Sequence, residues 1–206
     1  MSLLVWLERV ISAGIPGATA TLLLRSDARH VTIQQSARVL MALVALPLFG
    51  LVWLLAPALS DFLGIASGTA LIRIAAFNLP LMAVYFAYDA IFNGQRMFAS
   101  QSILQIAQSA AKLGGILLLL WLGLSVTGAF VAHVAATLLA VLLVPLQFRI
   151  PRGRPSWATM REMLRIALPM GTYIVTLWVL MNLSLWQLQA AAGQPAREVG
   201  FYVAGI

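Results

Sequence analysis

Four polar side chains recur at helical spacing within an otherwise apolar part of the chain. Gln101, Gln105, Gln108 and Lys112 follow one another at intervals of four, three and four residues. Residues three and four apart are neighbours on the surface of an α-helix, so the spacing predicts that these four side chains share one face. Glutamine amides can bind hydroxyl groups, and a lysine ammonium can attract an anion.

Lys112 is the only lysine of the chain and lies near the middle of an apolar run. A charge at the centre of a membrane helix costs about 2.5–3.5 kcal/mol on insertion scales. We therefore expect Lys112 to face a hydrated cavity and to bind the anionic part of a substrate, with a carboxylate such as Asp89 as the alternative partner. The glutamines either line the same cavity or only hydrogen-bond neighbouring helices. On the opposite side of this helix, three small residues predict a helix–helix contact: Ala107, Ala111 and Gly115.

A second polar set occupies the preceding apolar run. Asn78, Tyr85 and Asp89 are spaced to share one helical face, and Arg96 would join them if the helix continued. We predict that Asn78 and Tyr85 contact substrate. Asp89 is either the site of a coupling proton or cation, or the partner of Arg96 in an ion pair near the surface. Arg73, at the other end of this run, is a further candidate for the substrate, with lipid headgroups as its alternative partner.

The residue patterns of common enzyme sites are missing from the sequence. It contains no GxxxxGK[ST], HExxH or GxSxG motif, and its only histidines are His30 and His133. Without cysteine, the chain has no disulfide and no thiolate metal site. We therefore expect no catalytic residues, no metal and no cofactor, and we interpret His133 and Thr137, one turn apart, as a packed hydrogen-bonding pair.

Six long apolar runs predict the helices that position these residues. Of the 206 residues, 62% are hydrophobic and 9% are charged, whereas roughly a quarter of an ordinary soluble sequence is charged. A bilayer core needs about 20 mostly apolar residues per helix. The runs cover residues 3–24, 39–59, 70–92, 102–122, 126–146 and 166–188, and a seventh begins at Val199. The sequence thus predicts an all-α integral membrane protein with six transmembrane helices and the start of a seventh.

The basic residues between the runs predict the orientation of the chain. Nine of them lie in the first, third and fifth connections, and one lies in the other connections. Because positive residues accumulate on the cytoplasmic side, the basic segments Arg25–Arg38 and Phe148–Arg165 are predicted to be cytoplasmic, with Asp61 and Arg197 outside. We interpret the formal net charge of +7 in the same way and expect no nucleic acid as a partner.

The fifth connection is the best candidate for a boundary within the chain. Pro151, Gly153 and Pro155 interrupt regular structure there. Ser156 is placed to cap a short amphipathic helix that leads into the next run, with a solvated linker as the alternative. In that helix the side chains predicted to face lipid are Trp157, Met160 and Leu164. Those predicted to face the headgroups are Arg161 and Arg165.

Two stretches of the sequence resemble polysaccharide-export flippases. The first, Tyr85–Gly123, is similar to the fourth and fifth helices of that family and contains its "xxGxxRF"-like turn as Asn93-Gly94-Gln95-Arg96-Met97-Phe98. The second, Ile166–Ile206, is similar to the seventh helix and the following "G…EAVGxYxxA" element, matching it at Glu198, Val199, Gly200, Tyr202 and Ala204. Ser184 stands where the family often has an aspartate.

The resemblance implies membership of the superfamily that joins oligosaccharide-lipid flippases with multidrug and toxin extrusion proteins. It implies two lobes around a central cavity that opens alternately to each side of the bacterial inner membrane. The chain would then be a fragment of a longer transporter. Residues 1–148 would form the N-terminal lobe with five membrane helices, 149–165 a basic cytoplasmic linker between lobes, and 166–206 the incomplete start of the second lobe.

By this resemblance, the leading hypothesis is ion-gradient-coupled flipping of a lipid-linked oligosaccharide or polysaccharide precursor. The implied substrate carries undecaprenyl diphosphate, whose charge Lys112 would attract while the glutamines bind sugar hydroxyls. Membrane lipids are the other expected partners, and glycosyltransferases or a polymerase are the candidate protein partners. The alternatives are a cation-coupled multidrug exporter on the same scaffold, whose site should favour carboxylates, and a fragment that does not transport.

Overall fold

The computed structural model of the protein describes Ser12 and residues 14–25, 27–62, 68–149, 151 and 153–192. These residues form seven α-helices and one short 3-10 turn, Asp27–Arg29, and no strand occurs among them, which confirms the predicted all-α fold. The helices are α1 (Ile15–Arg25), α2 (His30–Phe62), α3 (Gly68–Ala76), α4 (Asn78–Gly94), α5 (Phe98–Trp121), α6 (Ser125–Gln147) and α7 (Trp157–Ala192).

Five stretches of the described chain are long and apolar enough to cross a bilayer, and they confirm the prediction of a membrane protein. They are His30–Asp61, Gly68–Gly94, Phe98–Trp121, Thr127–Leu146 and Trp157–Met181. These stretches correspond to the predicted second to sixth runs. Helix α1 covers the second half of the predicted first run, whereas the beginning of that run and the seventh run at Val199 lie outside the described residues.

The third predicted run is not one helix but two, which meet at Phe77. Pro80 has no N–H group to donate to the carbonyl of Ala76, and its ring would clash with that carbonyl in a continuous helix. The chain therefore ends α3 at Ala76 and begins α4 at Asn78. This places Pro80 in the first turn of α4, where a missing N–H group is tolerated.

The first, third and fifth connections lie on the same side of the helix bundle, which we call the basic end. The Gln35 side chain of α2 donates a hydrogen bond to the carbonyl of Pro151, and the Ser156 N–H donates to Ser36 Oγ at 3.0 Å. Phe148 lies edge-on to Phe92 near the end of α4, with ring centroids 5.7 Å apart. Helix α2 begins nine residues earlier than predicted, because the polar side chains of its first turns have hydrogen-bond partners in the fifth connection.

Helices α1, α2 and α4 contain most of the buried hydrophobic side chains of the structure, and we call these three helices the packed wall. Its core contains buried side chains from all three helices: Leu22, Leu23, Ile33, Met41, Ile91 and Phe92. Gly94 lets α4 approach α1 closely, since a Cβ atom there would lie 2.8 Å from Leu23 Cβ and 2.9 Å from Ala20 Cα. The wall thus provides a rigid support for the polar residues of α4.

Helices α5 and α6 pack mainly against each other, joined by a turn in which Gly123 adopts a φ of 81°. The predicted small-residue contact is confirmed at Gly115, where a Cβ atom would lie 3.2 Å from Ala132 Cβ of α6. Leu104 is the one buried residue of α5. The remainder of α5 is half-buried or exposed, so this helix lies along the bundle and is not enclosed by it.

Helix α7 begins at Trp157, so the predicted amphipathic segment and the sixth run form one continuous helix. Trp157 is exposed, but Met160 is buried in the hydrophobic core together with Met163 and Ala167. The prediction that Met160 faces lipid is wrong, because this part of α7 packs against α1 and α2. Arg161 remains exposed.

Candidate functional site

Asp89 connects α4 to α5 through two hydrogen bonds. Its Oδ1 accepts from Gln105 Nε2 at 2.9 Å and from Gln101 Nε2 at 3.2 Å. The short turn after α4 sends α5 back beside it, so the first two turns of α5 pass the end of α4 that carries Asp89. Asp89 is half-buried and Gln105 is exposed. Neutral amide donors stabilise a carboxylate without cancelling its charge, so this cluster remains anionic when Asp89 is ionised.

The sequence predicted that Arg96 would share the helical face of Asp89 if the helix continued. It does not share that face, because α4 ends at Gly94. The N–H groups of Met97 and Arg96 donate to the carbonyls of Phe92 and Asn93 at 2.8 and 3.0 Å. These bonds form a Schellman cap, with Arg96 in the left-handed conformation at a φ of 59°. Among the described residues no ion pair joins Arg96 to Asp89, so the two amides of α5 take the place of the expected arginine.

Gln108 makes the next contact along α5. Its Nε2 donates to Thr137 Oγ1 of α6 at 3.5 Å and lies 3.6 Å from the Sδ atom of Met82 in α4. Thr137 donates to the carbonyl of His133, one turn earlier, at 3.1 Å. Met82 was not among the predicted site residues, although its position one turn after Asn78 places it on the predicted polar face of α4. Three helices therefore meet at Gln108.

The glutamines of α5 make helix–helix hydrogen bonds, as one of the two interpretations predicted. Gln101 and Gln105 bind α4, and Gln108 binds α6. Because Gln108 faces α6 as Gly115 does, the small-residue contact lies beside the polar face and not opposite it. Gln105 is also exposed, and no hydrogen bond among the described residues uses its amide oxygen.

Asn78 and Tyr85 are placed in the interior of the structure. Their exposed fractions are 1% and 5%, so neither side chain lies on an open surface of the described bundle. The Tyr85 ring lies edge-on to Phe86, with centroids 5.5 Å apart. Both residues belong to the same face of α4 as Met82 and Asp89, which α5 and α6 cover in part.

Lys112 lies on α5 one turn beyond Gln108 and is exposed. Its spacing from Gln105 puts both residues on one face, with about 10 Å between their positions along the helix axis. No ion pair among the described residues joins Lys112 to a carboxylate, so its ammonium retains a net charge within an apolar span. We call the face formed by Gln101, Gln105, Gln108 and Lys112 the polar face of α5.

Arg73 lies apart from this face, in α3. Its guanidinium carbon is 5.3 Å from the centroid of the Trp53 ring in α2, at a distance typical of a cation–π contact. The Trp53 ring itself is edge-on to Phe77, with centroids 5.1 Å apart. The Nε atom of Arg73 is buried and has no hydrogen-bond partner among the described residues. The predicted site residues therefore divide into the polar cluster of α4–α6 and an arginine in aromatic surroundings.

A comparison with protein families identifies the chain at the level of its family. The family model for polysaccharide biosynthesis proteins matches residues 1–205. The chain belongs to this family. No curated protein and no solved structure gives a significant match. The family match confirms the resemblance to polysaccharide-export proteins that the Tyr85–Gly123 and Ile166–Ile206 stretches indicated.

As a member of the polysaccharide biosynthesis protein family, the chain combines helices suited to a membrane with a polar face on one of them. The match extends over Asp89, the three glutamines and Lys112. Cationic and amide groups of this kind can bind phosphates and sugar hydroxyls, the two polar parts of a lipid-linked saccharide.

Proposed function

We propose that this protein carries a lipid-linked oligosaccharide or polysaccharide precursor across the bacterial inner membrane. The observation that supports this most directly is the exposed Lys112 on a membrane helix, on the same face as three amide side chains. A cation in this position is costly unless a partner compensates it, and no carboxylate pairs with it in the described structure. A phosphate-bearing substrate provides that compensation.

The polar face of α5 is suited to two parts of such a substrate. Lys112 binds the diphosphate as a point charge, which needs no particular orientation of the phosphate oxygens. Gln105, exposed and with a free amide oxygen, binds sugar hydroxyls while its Nε2 remains on Asp89. The lipid tail stays in the bilayer. In this proposal the polar face belongs to a cavity between two lobes, with residues 149–165 as the linker between them.

Asp89 is proposed as the coupling site. Its carboxylate has neutral hydrogen-bond partners on Oδ1, so a proton or a sodium ion is free to neutralise it. Neutralisation weakens the hold of the carboxylate on the amides of Gln101 and Gln105, since hydrogen bonds to a charged acceptor are about twice as strong as those to a neutral one. The coupling ion thereby changes the contact between α4 and α5.

Reconstituted transport tests the role of Lys112. The full chain is placed in vesicles with a fluorescent undecaprenyl-diphosphate oligosaccharide, and its appearance in the opposite leaflet is measured. We expect Lys112→Ala to lower the rate at least tenfold and Lys112→Arg to retain part of it, because a diphosphate accepts either cation. Leu113→Ala, at the next exposed position of α5, is the matched control. A wild-type rate for Lys112→Ala would refute the substrate contact.

A second experiment separates coupling from binding. Asp89→Asn should abolish transport driven by an ion gradient while leaving binding of the fluorescent substrate unchanged, because asparagine keeps the size of the side chain but cannot ionise. Asp61→Asn, at an exposed position on α2, should have no effect. If Asp89→Asn transports at the wild-type rate under the same gradient, Asp89 is not the coupling site.

The orientation is proposed from the distribution of charge, with the basic end in the cytoplasm. Because the chain contains no cysteine, single cysteines report their side of the membrane without background labelling. Arg154→Cys at the basic end and Leu124→Cys at the turn after α5 lie on opposite sides of the bundle. An impermeant thiol reagent added outside intact cells should label only the second, and the reverse pattern would invert the topology.

A cation-coupled multidrug exporter is the second candidate function. The observation that favours it is the carboxylate of Asp89, which has no cationic partner among the described residues and would attract a cationic drug. Transport of ethidium by the same vesicles distinguishes the two functions. Ethidium efflux that depends on Asp89 but not on Lys112, without flipping of the saccharide, would support the exporter.

A further inference from the structure

A groove of about 310 Å³ runs between α2 and α4, on a part of the packed wall that the polar face of α5 does not use. Its walls are almost entirely apolar. They are formed mainly by Met41, Ala45 and Leu46 of α2 and by Ala83, Val84 and Ala87 of α4. Leu46 and Val84 are exposed, so the groove opens on the surface of the described bundle, where lipid would lie.

Aromatic rings lie one helical turn past the groove lining, at the end away from the basic end. Phe49 lies one turn beyond Leu46 on α2, and Phe77 lies one turn before Pro80, which lines the groove at the start of α4. The rings of Phe49 and Phe77 contact each other across the two helices, with centroids 5.4 Å apart. The lining of the groove, which reaches Leu46 and Pro80, therefore comes to within one helical turn of these rings.

Arg38 lies at the mouth of the groove, at the basic end. Its three guanidinium contacts are all to neutral oxygen atoms: Nη1 donates to the Tyr88 hydroxyl at 3.2 Å, Nη2 to the Pro151 carbonyl at 3.3 Å and Nε to the Gln34 carbonyl at 3.4 Å. No ion pair joins Arg38 to a carboxylate in the described residues, so its charge is not cancelled. These bonds hold the guanidinium in place beside the Tyr88 ring, 5.8 Å from its centroid.

The distance from the mouth of the groove to the aromatic rings fits one leaflet of a bilayer. Arg38 and Phe49 are eleven residues apart on a helix, a rise of about 16 Å. This rise is close to half the thickness of a bilayer's hydrocarbon core, which is about 30 Å in total. A chain that lies in the groove from its mouth would therefore end near the middle of the bilayer, at the aromatic rings, while a group attached to it at the mouth would lie at the level of the headgroups.

We propose that this groove binds an anionic phospholipid of the leaflet at the basic end, with one acyl chain between α2 and α4 and the phosphate on Arg38. The apolar walls accept the chain, the rings limit its depth, and the uncancelled guanidinium selects a negative headgroup. This site is separate from the polar face of α5, and its occupancy does not depend on transport. The lipid fills the surface between two helices of the packed wall.

Native mass spectrometry of the purified full chain tests the proposal. The protein is delipidated in detergent and titrated with phosphatidylglycerol or with zwitterionic phosphatidylcholine of the same acyl chains, in the absence of any lipid-linked saccharide. We expect retention of phosphatidylglycerol over phosphatidylcholine. Arg38→Gln should weaken phosphatidylglycerol binding about fivefold, as expected for one basic residue at an anionic membrane surface, and Arg38→Lys should keep most of it.

A second pair of variants tests the groove itself. Ala42 is exposed and lines the groove, so Ala42→Trp should block the acyl chain and abolish retention of the lipid. Leu43→Trp, at the next exposed position on α2 but outside the groove, should bind as the wild type does. Arg96→Gln, an exposed arginine at the same end of the bundle, is the matched control for charge.

Each result decides the proposal. Equal binding of the two lipids, or unchanged phosphatidylglycerol binding in both Arg38→Gln and Ala42→Trp, would overturn it. The proposal would also be overturned if Arg96→Gln lowered phosphatidylglycerol binding as much as Arg38→Gln does, since binding would then depend only on the overall charge of the basic end. If Arg38→Gln does not yield folded protein by gel filtration, the Ala42→Trp and Leu43→Trp pair still tests the groove. Loss of saccharide transport by Lys112→Ala has no bearing on any of these outcomes.

Discussion

Helices α4 and α5 are neighbours in the chain and both are apolar enough to cross a membrane, yet their surroundings are opposite. Eleven residues of α4 are buried, including Ile91 and Phe92, whereas Leu104 is the one buried residue of α5. In a membrane protein the lipid-facing side is as apolar as the interior, so hydropathy does not distinguish the two. One local difference is the space beside their glycines: a Cβ atom at Gly94 of α4 would lie within 3 Å of α1, whereas at Gly114 of α5 no atom lies within 4 Å of an added Cβ.

This difference separates the enclosed helix from the helix that carries most of the polar side chains. Helix α4 packs against α1, α2 and α6, while α5 is held by α6 along one side and by amide hydrogen bonds to α4. The polar face thus belongs to the less enclosed helix. Three pairs of substitutions test this contrast.

The largest effect is expected at Gly94. A Cβ atom there would lie within 3 Å of Ala20 Cα and Leu23 Cβ, so Gly94→Leu must push α4 away from α1, at a cost of about 3 kcal/mol or more. We expect little folded protein by gel filtration and a strongly lowered thermal unfolding temperature. Gly114→Leu on α5, where no atom lies within 4 Å of the added Cβ, should be neutral. Equal damage from both would abolish the contrast between the helices.

A smaller effect is expected at Leu104. This side chain is fully buried, and Leu104→Ala leaves a cavity between α5 and its neighbours. We expect a loss of about 2 kcal/mol in the free energy of unfolding, at the low end for such a change, because lipid or detergent can fill part of the space. Leu113→Ala on the exposed side of α5 should change the thermal unfolding midpoint by less than a degree or two. A similar loss at Leu113 would show that α5 is enclosed on that side as well.

The smallest effect is expected at the two helix ends. Schellman caps end both α4 and α5, with Arg96 at a φ of 59° in one and Gly123 at 81° in the other. Since a non-glycine residue is strained there, Arg96→Gly should stabilise the protein by about 0.5–1 kcal/mol and Gly123→Ala should destabilise it by about 1 kcal/mol. Thermal unfolding of both variants measures the signs, and the same sign for both would contradict the cap assignment.

Much of this architecture could be predicted from the order of apolar runs and basic connections. The all-α membrane fold and the shared face of Gln101, Gln105 and Gln108 followed from periodicity, which is a local property of the chain. The break at Phe77 was not predicted, because the clash between the Pro80 ring and the carbonyl of Ala76 was not considered. That clash is a local property of the sequence and could have been predicted.

The partners of the polar residues could not be predicted in the same way. The sequence offered Arg96 for Asp89, because both would share a face on a continuous helix. The left-handed turn at Arg96 removes it from that face, and the return of α5 brings two amides instead. Burial of Met160 likewise depends on the docking of α7 against α1 and α2, which no periodicity within α7 specifies.

Helix α7 contains a proline, Pro169, at which it can bend. On either side of that residue α7 packs closely on α1: Ala167 leaves room only for a glycine at position 14, just before α1, and Met170 lies against Gly17. Ser156 is hydrogen-bonded to α2. Pro169 leaves the carbonyl of Arg165 without its helical donor, so bending is easiest there. From Pro169 to Ala192 the helix extends about 35 Å, and a tilt of ten degrees would displace its far end by roughly 6 Å. A bend at Pro169 would therefore displace the far end of α7 much further than the residues that pack against α1.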